Sequence, residues 1–182
     1  MSTRRDQILA TAAELFAERG FHGVGVNDIG EACGISGPAL YKHFAGKDDL
    51  LATALTSVSD ELLSEGRRRA AEAATPVAAL EALIAWHADF ALTRRPLIVI
   101  QEREWGNLPE EARDRVRRTQ LAYIDVWVDV VRSLRADWDR PTARAAVQAV
   151  FGLLNSTPRS ARIGAPAMRE LLAGLARRAL LA

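Results

Sequence analysis

A chain of 182 residues, 49% hydrophobic and 26% charged, can build a sizeable core under a solvated surface, as one compact domain or as a small domain joined to a larger one. The formal net charge of +1 gives no general electrostatic signature for nucleic acid, and the single Cys33 excludes an intramolecular disulfide framework and a CxxC zinc site. No stretch approaches about 18 uninterrupted apolar residues and the N-terminus is polar rather than signal-like, so a soluble cytoplasmic protein with no membrane partner is expected.

Ile8, Ala12, Leu15 and Phe16 recur at helical spacing, and Gly20 supplies a stop. A second helix is predicted over 26–33, with Asn27 as its N-cap and Cys33 as a small apolar packing residue. Gly34 suits a left-handed turn. Ser36 can cap the next helix, and Pro38 is tolerated in its first turn because no intrahelical partner is needed there. Leu40 and Phe44, four apart, take the core face and turn Tyr41, Lys42 and His43 outward. Two short helices meeting at a glycine turn build a helix-turn-helix, in which one helix crosses the DNA backbone and the next enters the major groove. Residues 1–50 carry five Lys/Arg against seven Asp/Glu, so the cations count by placement: Arg4 and Arg5 open the first helix, and Lys42, His43 and Lys47 lie in or just after the reader.

A longer helix over 47–69 presents Leu51, Leu55, Val58 and Leu62 on one face, and Pro76 restarts the chain for a helix to about Thr93. Pro96 and Pro109 punctuate the middle. Pro109 with Glu110 and Glu111 reads as the start of a helix running to about Arg135. Its stretch 124–131 is β-branched, but Asp125 and Asp129 sit four apart with Arg118 and Arg132 on the same side, which favours a helix. Pro141 and Pro166 begin two final helices, separated by a loop over 156–165. The prediction is all-α, about nine helices and no strand. Residues 1–47 form a three-helix helix-turn-helix domain and 48–182 a larger helical domain.

The chain resembles the TetR/AcrR family of bacterial transcriptional regulators. The likeness lies in Arg5, Gln7-Ile8-Leu9-Ala10, Ala13, Leu15-Phe16 and Gly20-Phe21, then Asp28-Ile29, Cys33-Gly34-Ile35-Ser36, Leu40-Tyr41, His43-Phe44, Lys47 and Leu50. It covers roughly the first 50 positions, and its implications are a homodimer, a palindromic double-stranded DNA operator and release from DNA when a small molecule occupies the larger domain. It also implies that Pro38, Ala39, Tyr41 and His43 face DNA and that Lys47 meets a phosphate. The expected DNA-facing set adds Arg5, Asn27, Ser36, Gly37 and Lys42. Gly37 and Ala39 cannot make bidentate base contacts, although the Ala39 methyl can meet a thymine methyl and Lys42 or His43 can reach guanine. Direct readout is therefore expected to be sparse, with phosphate positioning and DNA shape contributing heavily.

An effector pocket should be concave, apolar and anchored by a few polar groups. Trp86, His87, Phe90, Trp105, Tyr123 and Trp127 are the candidate linings. His87 shares a stripe with Leu80, Leu83 and Ile84, and a core histidine satisfied by a backbone carbonyl is preferred there over a ligand contact. Arg94, Arg95 and Arg103 flank the apolar run 96–100, which suits an apolar body with an anionic head, such as an acyl-CoA thioester. The alanine- and leucine-rich last two helices offer more apolar surface than one helix pair buries, pointing to a symmetric four-helix dimer interface. No cofactor, metal site or catalytic residue is expected: GxSxG, P-loop and HExxH patterns are absent, and His22, His43 and His87 lack ligand spacing. A constitutive DNA binder without effector is the alternative, and a helical enzyme a more distant one.

Overall fold

The computed structural model describes residues 3–181. Among them are ten α-helical segments, one 3-10 turn and no strand: α1 (Arg4–Arg19), α2 (Val26–Ala32), α3 (Gly37–Leu40), α4 (Lys47–Glu72), α5 (Pro76–Thr93), α6 (Arg95–Arg103), the 3-10 turn Trp105–Asn107, α7 (Glu110–Leu134), α8 (Arg140–Leu154), α9 (Thr157–Ser160) and α10 (Ala165–Leu181). The all-α expectation and the count of about nine stand. The extra segment is α9, a single turn inside the stretch read as a loop. No helix among these residues is long and apolar enough to cross a membrane.

Local chemistry sets the helix starts. Thr3 Oγ1 accepts from the Asp6 amide while the Asp6 carboxylate accepts from the Thr3 amide, a closed capping box for α1. Ser36 Oγ, Thr75 Oγ1 and an Asp139 carboxylate oxygen accept from the third residue into α3, α5 and α8. One capping expectation is corrected. α2 begins two residues earlier than a cap at Asn27 would place it: Gly25 is the N-cap, and the Asp28 carboxylate accepts from its amide at 2.6 Å. A carboxylate three residues in satisfies the orphan donor and leaves Asn27 free in the first turn. The stretch 124–131 is helical, as expected, but the partners of its carboxylates differ. Asp125 meets Arg140 and Arg144, and Asp129 meets Arg140, so these charges tie α8 to α7 instead of pairing along α7.

The chain packs as two units. One runs to Ser59 and takes in Pro96–Arg117; the other comprises Asp60–Arg95 and the chain from Arg118 onward. The motif-based division at 47/48 marks the start of α4, whereas the packing division falls within that helix. In the first unit Ile8, Phe16, Ile29, Leu40, Phe44, Leu50 and Leu55 form a core joined by Ile100, Leu108 and Val116 from later in the chain. In the second, α5 packs against α8 and α10, burying Leu80, Leu83, Ile84, Val147, Leu172 and Leu180.

Candidate nucleic-acid interface and effector core

The reader is assembled from very short elements. Gly34 closes the turn after α2 at φ +67°, a conformation that costs an L side chain energy and costs glycine none. The Asn27 amide lies against Gly37, where a Cβ would fall 2.3 Å from Oδ1. Gly37 thus serves the close approach of α2 and α3. After α3 the amides of Lys42, His43 and Phe44 donate to Ala39 O, Leu40 O and Leu40 O, so helical turns continue through Phe44. Leu40 and Phe44 are buried, and Tyr41 (57% exposed), Lys42 and His43 point to solvent. Ser36 and Pro38 are also exposed, with Ala39 half-buried. The outward face therefore carries the residues the spacing indicated.

The flanking cations are placed differently from a free phosphate contact. Arg5 Nη1 donates to His43 O at 2.5 Å with its guanidinium carbon 4.1 Å above the Phe44 ring. Arg4 Nη2 donates to Cys33 O at 2.6 Å. Lys47 Nζ donates to Phe21 O at 3.0 Å and Val24 O at 3.4 Å and sits 4.4 Å from the centre of the Phe21 ring. Cys33 is a free thiol, half-buried against the core.

In the second unit, His87, Phe90, Tyr123 and Trp127 come together as an aromatic cluster. The His87 ring stacks on Phe151 at 4.6 Å and on Tyr123 at 5.8 Å, and Trp127 presents an edge-on ring to His87, Tyr123 and Phe151. Its polar partners are side chains rather than the expected backbone carbonyl: Nδ1 pairs with Tyr123 Oη at 3.3 Å and Nε2 with Asn155 Oδ1 at 3.0 Å. Burial pushes the His87 pKa down to about 4 against a smaller opposing pull from Asn155, so the ring is neutral at pH 7. Burial likewise pushes the Tyr123 phenol up. Phe151 and Asn155 were not singled out from sequence. They lie four apart at the end of α8, where the pattern read only as an apolar face.

The other candidates fall outside this cluster. Trp86 lies under the Arg69 guanidinium, 4.8 Å from its ring centre. Arg94 is half-exposed and pairs loosely with Glu61 at 3.7 Å. Arg103 and Trp105 belong to the first unit, where Arg103 Nη1 donates to Ala17 O at 3.0 Å and Trp105 packs on the core. The indole N–H of Trp127 is directed at the Tyr123 hydroxyl, that of Trp86 is buried without an acceptor among the described residues, and these residues hold no group of three or more His, Cys, Asp or Glu placed for a metal ion.

Short helices around a glycine turn, an outward polar face and a second helical unit with an aromatic interior define a helix-turn-helix DNA-binding regulator. Residues 8–54 match the bacterial regulatory proteins of the tetR family, and residues 73–159 match the tetracyclin repressor-like C-terminal domain. The HTH-type transcriptional repressor KstR2 of Rhodococcus jostii is 30% identical over 145 residues, covering 76% of this chain and 71% of that protein. The HTH-type transcriptional activator FasR of Mycolicibacterium smegmatis is 40% identical over 65 residues, 36% of this chain; the chain spans only 30% of FasR. The crystal structure of AibR in complex with isovaleryl coenzyme A and operator DNA shares the fold, with a TM-score of 0.74 at 23% identity over 95% of this chain and 97% of that one. The chain belongs to the TetR family of transcriptional regulators, proteins that are not enzymes.

Proposed function

We propose that the chain is a ligand-responsive regulator, with repression the expected sign, that binds a palindromic operator as a homodimer and is released by a small apolar or acyl-CoA-like effector. The observation that carries this reading is the coexistence of an outward reader with a separate buried aromatic cluster that DNA binding does not require. Two recognition helices about 34–36 Å apart, or a multiple of that, occupy successive half-sites, and an effector acts by changing that spacing. α4 begins beside the reader and continues into the second unit, which makes it the natural transmitter.

The effector set comprises His87, Phe90, Tyr123, Trp127, Phe151 and Asn155. The Tyr123 hydroxyl and the Asn155 amide are the polar groups beside this apolar cluster, suited to a ligand carbonyl such as that of a thioester. Arg94, whose ion pair is long and exposed, is available to an anionic head group. Arg103 and Trp105 are left out because their contacts lie in the first unit. AibR, as its complex records, takes an acyl-CoA of this kind. The dimer is supported by the outer apolar strip of the last helices: Ala145, Ala149, Leu171 and Leu175 are exposed while Val150, Leu154, Leu172 and Leu180 fill the core behind them.

Thermal melting with short, branched and long acyl-CoAs, free CoA and fatty acids tests the effector. A thioester that raises the melting temperature and weakens binding to a selected duplex is expected. No shift with any of them overturns the acyl-CoA assignment, and a monomer at micromolar concentration by light scattering overturns the dimer.

A further inference from the structure

The reader has little means of holding its own shape. α2 has seven residues and α3 four, lengths at which an isolated helix does not persist in water. Such segments end on carbonyls without intrahelical partners, which carry partial negative charge. Three cations from outside the two helices meet carbonyls around them. Lys47 holds Phe21 O and Val24 O at the entry, Arg4 holds Cys33 O at the end of α2, and Arg5 holds His43 O just beyond α3. Arg5 and Lys47 also cover the rings of Phe44 and Phe21, so their directions are fixed by a face contact as well as a hydrogen bond.

We propose that Arg4 and Arg5 are positioning residues that shape the reader through its backbone, and that Lys42 makes a phosphate contact. Lys42 is exposed, and its side chain makes no hydrogen bond or ion pair among the described residues. A guanidinium directed onto His43 O and laid over Phe44 fixes the turn that displays Tyr41 and His43. Such a role contributes to affinity without releasing counterions from DNA. A phosphate contact does release them, and each one adds about 0.9 to the slope of log affinity against log salt. The two roles therefore separate in the salt dependence.

This inference rests on the DNA-binding reading, and a wild-type chain that selects no duplex from a randomised library overturns both. With a selected duplex, affinities of the full chain are measured across a salt series. Arg5→Ala is expected to bind about tenfold more weakly, the scale of one charged hydrogen bond, with the slope unchanged. Lys42→Ala is expected to flatten the slope by about 0.9 for each contact removed. Flattening of the same size in Arg5→Ala overturns the proposal while leaving the DNA reading intact. Arg5→Lys retains the charge and loses the planar fork, so it is expected to remain weak with an unchanged slope. Wild-type affinity in Arg5→Lys overturns the proposal, and this variant serves where Arg5→Ala does not fold. Amide hydrogen exchange of the DNA-free chain gives a separate readout: faster exchange confined to 41–46 in either Arg5 variant is expected, and unchanged exchange there overturns the positioning role.

Discussion

The two units place their polar side chains in opposite ways. In the first, Tyr41, Lys42 and His43 face solvent, while Arg4, Arg5 and Lys47 end on backbone carbonyls. In the second, His87 and Tyr123 are buried and satisfy each other, with Asn155 completing the chain of contacts. A surface that must meet phosphates and base edges keeps its side chains available and secures its backbone from the flanks. A buried aromatic interior fixes side chains against side chains, where low dielectric makes each polar contact consequential. The contrast teaches that local spacing sets which side chains the reader displays, whereas long-range contacts hold its backbone and assemble the aromatic core.

The largest effect that sharpens this contrast is Trp127→Ala. Trp127 is fully buried among Tyr123, His87 and Phe151, and its truncation is expected to cost about 3–5 kcal/mol in urea denaturation. Tyr41→Ala in the reader removes a ring that is 57% exposed and should change stability by no more than about 0.5 kcal/mol, while weakening duplex binding. A costly Tyr41→Ala or a neutral Trp127→Ala breaks the division of labour.

A smaller effect reads the burial of His87 directly. Its folded pKa of about 4 lies below the ordinary 6.5 of a free imidazole, so the unfolded chain binds more protons between these values. Stability contributed by the neutral ring is therefore complete above about pH 6.5, declines as the pH falls and is gone below about pH 4. His87→Gln keeps an amide able to meet Tyr123 and Asn155 but does not titrate. The stability difference between wild type and His87→Gln, followed by melting temperature, should shift against the wild type as the pH drops through this window. A constant difference places His87 in a wetter setting than the ring stacks indicate.

These residues also show why one unit was more legible than the other. Leu40 and Phe44, Gly34, and Ser36 act within four positions of the residues they control, so spacing alone located the outward face. The N-cap of α2 lies at Gly25 rather than at Asn27, because Asp28 reaching back to the Gly25 amide starts the helix two residues earlier. His87, by contrast, meets Tyr123 across 36 positions and Asn155 across 68, and periodicity carries no information on which helices will be neighbours. Hence Phe151 and Asn155 went unmarked, and Arg103 and Trp105 were assigned to an interior they do not share. The carbonyl partners of Arg5 and Lys47 are not legible in the sequence, since a cation near a reader suits a phosphate and a carbonyl equally well in one dimension.

A further modest effect tests how far the glycine turn acts through its own backbone. At Gly34 an added Cβ meets nothing within 4 Å, so Gly34→Ala introduces no clash and isolates the cost of φ +67°. That cost is about 1–2 kcal/mol for an L-residue. It is partly offset by about 0.4–1 kcal/mol because alanine has fewer unfolded conformations. A net loss near 1 kcal/mol is expected by urea denaturation, with a smaller loss for Gly34→Asn, whose side chain tolerates the left-handed region. Because the turn orients α3 against α2, duplex affinity should fall further in Gly34→Ala than the stability loss alone accounts for, and effector-induced stabilisation should be unchanged. Equal stability of the alanine and asparagine variants, or a weakened effector response, shows that the turn is held by more than its own backbone preference.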